Sequence, residues 1–178
     1  MTYAALCMAI AMVLPLITGQ VPRFGEMLSP MHIPVLLCGF LCGPWWGLAV
    51  GLIAPPLRSV LFGMPPMFPT AVAMSGELAA YGALTGWLFR VRLGARAPRF
   101  VRVLAALLIA MIGGRAVWGL IQLALAGVQH TDFTMNIFLT RAVVDAIPGI
   151  ILQLALIPPL VTALDLAGLT IRSSGEGS

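Results

Sequence analysis

VLAALLIAMIGGRAVWGLIQLALA, from Val103 to Ala126, holds a single charge, Arg115, in 24 residues. At ~1.5 Å of rise per residue a helix of this length reaches ~36 Å, enough to cross the ~30 Å hydrocarbon core of a bilayer. A transmembrane strand would alternate apolar and polar side chains over about ten residues; this block does not alternate. The stretch therefore predicts an α-helical membrane span. Just before it lies a run of five arginines from Arg90 to Arg102, set between two apolar blocks. Basic loops of this kind mark the cytoplasmic side.

The rest of the chain agrees. Of its 178 residues 60% are hydrophobic and 9% charged, and mean hydropathy is +1.02. Soluble domains carry about 25% charged residues, so most of this surface must face lipid. Apolar blocks recur at roughly Thr2–Gly19, Leu28–Gly43, Trp45–Phe62, Thr70–Phe89, Val103–Ala126 and Met135–Ala167. The expected fold is all-α and integral to the membrane: one compact bundle of six transmembrane helices over residues 1–170, with a disordered cytoplasmic tail at 171–178. With the arginine run inside, both termini are cytoplasmic, and the loops at 20–28, 63–69 and 127–134 face outward. Gly43-Pro44 is a strong break; the alternative is one kinked span from Ile33 to Leu57. The first block has no basic region before it and no small-x-small cleavage site before Gln20, so it reads as a retained helix.

Composition excludes several functions. All ten basic residues are arginine, and their clustering is topological, so no nucleic-acid partner is expected. Cys38 and Cys42 share a helix face but have no histidine or cysteine set around them, which leaves them as small apolar filler and gives no metal site. There is no Ser/His/Asp set, HExxH, GxSxG or P-loop, so an enzyme is not expected, nor can the chain drive transport by hydrolysing nucleotide itself.

The residues that carry function should be the charges inside the spans. A charge at mid-bilayer costs at least ~2.5–3.5 kcal/mol, so it faces the bundle interior or a cavity. Arg58, Glu77, Arg115, Arg141 and Asp145 all lie within apolar blocks. Measured along their helices they sit ~6 to 16 Å from the outer ends, in the outer half of the membrane. Helical spacing adds Tyr81 to Glu77, and Trp118 and Gln122 to Arg115; it also puts Arg141 and Asp145 on one face. His32 stands where the first outer loop enters the second helix, either as an interfacial histidine or at the rim of a cavity. An outward-open cavity with polar groups and aromatic walls fits this layer. So do two ion pairs, Glu77–Arg115 and Arg141–Asp145, that lock the bundle without a ligand. Three arginines against two acids leave one positive charge over, which favours a carboxylate-bearing solute. A stand-alone secondary transporter would spread ionisable residues across both halves of the membrane.

PMHIPVLLCGFLCG (Pro30–Gly43), RSVLFGMPPMFPTA (Arg58–Ala71) and ELAAYGALTG (Glu77–Gly86) occur in that order, and with them the chain resembles the substrate-binding S-components of energy-coupling factor transporters. The resemblance covers most of the first four helices. It implies a high-affinity binding subunit for a water-soluble, vitamin-like small molecule in the bacterial cytoplasmic (inner) membrane. It also implies a transmembrane coupling subunit and two ATPase subunits as partners, and no cofactor. The stretch Met64, Pro65, Pro66, Met67 and Phe68 would then form a lid, and His32, Arg58, Glu77 and Tyr81 would lie at or near the pocket. Ala5 and Ala9, at small-xxx-small spacing, would dock on the coupling subunit.

Overall fold

The computed structural model describes residues 1–18, 30–91, 98–129 and 147–168. These form α1 (Thr2–Thr18), α2 (His32–Cys42), α3 (Pro44–Phe62), α4 (Val72–Arg90), α5 (Arg99–Gln129) and α6 (Ile147–Leu166), with a wide turn at Met67–Ala71 before α4. No strand occurs among the described residues. Pro44–Phe62, Arg99–Leu125 and Ile147–Leu166 are long and apolar enough to cross a membrane; Thr2–Ile17 and His32–Cys42 are shorter apolar helices.

The break at Gly43-Pro44 separates two helices rather than kinking one. Gly43 has φ 96° and ψ 177°, a region that side chains with a Cβ rarely enter. Its N–H still bonds the Gly39 carbonyl, and Pro44 opens α3 at a position where no N–H is needed. Gly63, at φ 70°, ends α3 with its N–H on the Ser59 carbonyl. The expected helical start at Thr70 is instead the wide turn, closed by Ala71 N–H on the Pro66 carbonyl, with Phe68 extended. The Met64–Pro65 and Phe68–Pro69 peptides are cis. α5 begins four residues ahead of the expected Val103, taking Arg99 and Arg102 into the helix. Residues 135–146, expected to open the last helix, lie outside the described residues.

α4 is the axis of the bundle: it packs on α2, α3 and α5. Glycines set how closely. A Cβ on Gly47 would fall 2.4 Å from the Gly82 carbonyl oxygen, and one on Gly82 would fall 2.2 Å from the Gly47 carbonyl oxygen. One turn to either side, Gly51 meets the backbone of Leu78 and Ala79, and Gly86 meets that of Gly43 and Pro44. Two GxxxG motifs, Gly47–Gly51 and Gly82–Gly86, thus face each other in antiparallel register and bring main chain onto main chain. Without a hydrophobic force between helices in lipid, such close packing is what holds them.

Side chains fill the rest. Ala4, Cys7 and Ala11 of α1 pack with Val35 and Cys38 of α2, Val50 and Ala54 of α3, and Leu78. A second cluster joins Leu36 and Phe40 of α2, Tyr81 and Phe89 of α4, Leu107 and Met111 of α5, and Ile157 and Val161 of α6. Phe40 meets Phe89 edge-on at 5.4 Å. The outward faces stay apolar, with Ile53, Val60, Ile112, Leu120, Leu123 and Ile151 exposed, as lipid contact requires. An ion pair between Arg99 and Asp165 ties the start of α5 to the end of α6, so the two helices run antiparallel.

Candidate functional site

The polar centre of the bundle is Glu77. It follows the first turn of α4 and is 2% exposed. Three groups converge on its Oε1. Tyr81, one turn along the same helix, donates its hydroxyl at 2.8 Å. Arg115 of α5 brings Nη1 to 3.1 Å, and His32 of α2 brings Nε2 to 3.8 Å. The His32 and Tyr81 rings lie 5.3 Å apart, tilted by 56°. A carboxylate out of water needs such partners.

Local sequence explains the geometry. Glu77 and Tyr81 share a face at i, i+4. Gly114 lets the Tyr81 ring reach α5, since a Cβ there would fall 2.1 Å from the Tyr81 Cε1. His32 is the first residue of α2 and is buried within the bundle. Its helix runs parallel to α4, as Gly39 against Gly82 and Thr85 shows, and this brings its first turn level with Glu77. The Arg115 side chain is 23% exposed, and its Nε is buried without a hydrogen-bond partner.

Of the residues expected to carry function, the structure brings His32, Glu77, Tyr81 and Arg115 together. Trp118, one turn beyond Arg115, is buried against Ala73 with Ile121 and Leu125 beside it. Gln122 is half-buried a further turn along. Arg58 is placed elsewhere: its Nη1 donates to the Met12 carbonyl of α1 at 3.0 Å, and its guanidinium lies over the Phe62 ring. That carbonyl is adjacent to Ala11, whose carbonyl loses its helical donor to Pro15. Met64, Pro66, Met67 and Phe68 are exposed and Pro65 is half-buried. Ala5 and Ala9 are exposed on α1, opposite its packed stripe of Ala4, Cys7 and Ala11. Arg141 and Asp145 lie outside the described residues. Among the described residues no group of three histidine, cysteine or acidic side chains could hold a metal ion.

Among the buried polar residues that a reading based on charges passes over, Gln153 is the one whose side chain has an unmet atom. Gln153, 3% exposed on α6, has an Oε1 without a hydrogen-bond partner among the described residues. The signal for it is an amide in the middle of the apolar run Ile150–Leu156.

The model of one protein family, described as the substrate-specific component of the ECF transporter, matches residues 1–161. The chain belongs to that family. No curated protein and no solved structure matches it significantly. As an ECF substrate-specific component it is a membrane protein of a transport system, and its part there is to bind substrate. The family is not a class of enzymes. The cluster gathers donors and acceptors from three helices around one buried carboxylate.

Proposed function

We propose that this ECF substrate-specific component binds a water-soluble, vitamin-like solute at the layer formed by His32, Glu77, Tyr81 and Arg115. It then delivers that solute to a transmembrane coupling subunit driven by two ATPase subunits. The observation that carries the reading is Arg115. Its Nη1 neutralises Glu77, yet its Nε–H has no hydrogen-bond partner among the described residues and the side chain stays partly open. A buried charged donor left unmet costs more than a neutral one, so this guanidinium can still take a further acceptor.

Six crossings of the bacterial cytoplasmic membrane, with both termini inside, go with this reading. Trp45, Trp46 and Trp87 are exposed at the end of the bundle that carries Arg90, Arg99 and Arg102. Interfacial tryptophans beside a basic cluster suit the cytoplasmic face. The Glu77 layer then lies toward the outside, near the exposed Met64–Phe68 segment, which would close over it. Ala5 and Ala9, left uncovered by the bundle, would meet the coupling subunit.

The test is a thermal-shift panel of water-soluble vitamins on the full chain in detergent. A solute that binds only the folded state, supplied at 100 times its Kd, adds ~2.7 kcal/mol of stability. One clear rise in Tm is the expected result. A flat panel from folded protein removes the vitamin reading and leaves the Glu77–Arg115 pair as a lock between α4 and α5.

A further inference from the structure

Gln153 belongs to a stripe on α6 formed by Gly149, Gln153, Ile157 and Val161, four residues apart and all buried. Ile157 and Val161 pack in the cluster that holds Leu36, Tyr81 and Met111. The stripe therefore faces inward, toward the helices that carry His32, Tyr81 and Arg115. The Arg99–Asp165 pair sets the register of α5 against α6. Counting twelve residues from each partner, Gln153 and Met111 stand at the same level, ~18 Å from that pair. Arg115 is one turn, ~6 Å, further on. Gln153 thus sits about one turn below Arg115, near the level where the Tyr81 ring meets Gly114.

A buried amide oxygen without a hydrogen bond is destabilising, and more so in a bundle surrounded by lipid. An apolar side chain of the same size would pack there at no such cost. Arg115 Nε, about one turn away in level, is likewise buried without a hydrogen-bond partner among the described residues.

We propose that Gln153 is the deep wall of the solute site. Its Oε1 accepts a hydrogen bond from a hydroxyl or amide N–H of the solute, and Arg115 Nε–H, one turn above, donates to an acceptor on the same molecule. This assignment rests on the reading of the Glu77 layer as a solute site. It also revises the solute's chemistry. The charge surplus that favours a carboxylate counts Arg58, which lies against α1. Within the layer itself Glu77 and Arg115 compensate each other. The end of the solute that reaches Gln153 is a neutral polar group bearing a hydrogen-bond donor.

The experiment is calorimetric titration of the full chain in detergent, as wild type, Gln153→Met and Gln153→Leu. The probes are riboflavin, thiamine, pyridoxine, nicotinamide, nicotinate, pantothenate, biotin and folate. The expected result is that the probe bound best by wild type binds both variants about tenfold or more weakly, while their solute-free Tm equals or exceeds that of wild type. Unchanged affinity in a folded variant overturns the assignment and leaves the solute-site reading standing. A solute-free Tm lowered in both variants also overturns it, because Gln153 then holds the bundle and not the solute. A wild-type chain that binds none of the eight overturns the solute-site reading, and the assignment with it.

Discussion

The two long faces of α4 solve the problem of packing in lipid in opposite ways. Toward α3, Gly82 and Gly86 remove side chains altogether and let main chain meet main chain. Toward α2 and α5, Glu77 and Tyr81 load the interface with polar groups gathered on one carboxylate oxygen. The first face is self-sufficient: shape alone completes it. The second leaves donors and acceptors over, at Arg115 Nε and, across the bundle, at Gln153 Oε1. Close packing without polar remainder marks a structural interface. A polar interface with a remainder is where the proposed solute would complete the set.

The comparison can be broken by experiment. The largest effect is expected from Gly82→Leu, which drives a side chain into the Gly47 backbone. No rotamer relieves a clash with main chain, so the loss should be about 3 kcal/mol or more, at the upper end for overpacking. Size-exclusion and thermal unfolding should show little folded protein. A stable Gly82→Leu chain would mean that the seam does not hold α3 to α4.

Next is Arg115→Met, which leaves Glu77 buried beside His32 and Tyr81. Breaking a buried pair costs about 3–5 kcal/mol; partial exposure of Arg115 should bring this to about 2 kcal/mol. The sharper form adds Glu77→Gln. Replacing both charges should restore much of the thermal stability but none of the solute binding. If binding returns with stability, the polar face is structural after all and the contrast collapses.

The smallest effect belongs to Arg99→Ala. The Arg99–Asp165 pair is about half exposed on the arginine side, and such pairs contribute about 0–1 kcal/mol. A shift in Tm of more than a few degrees would show that it does more than fix register.

Much of this was legible in the residues. Charges are so scarce in the apolar blocks that Glu77 and Arg115 had few partners besides each other, and Gly-Pro at 43–44 carries its break in its covalent structure. Other features have no one-dimensional signature. Arg58 bonds a backbone carbonyl, which every residue offers, so nothing in the sequence points to Met12. His32 adjoins a loop and suggests a rim, but α2 begins at that residue and buries its ring against Tyr81. The spacing of Gly47, Gly51, Gly82 and Gly86 is plain, yet which glycine meets which depends on antiparallel register. Gln153 is invisible to a count of charges, because an amide reveals its cost only when its surroundings are known.

The glycine seam has a mechanical consequence. Side-chain interfaces yield by rotamer changes, one torsion at a time. A contact between two backbones has no such torsions, so α3 and α4, with α2 joined at Gly39 and Gly43, behave as a stiff plate. Among the described helices, breathing of the bundle is then easiest where α1, α5 and α6 pack against that plate through side chains.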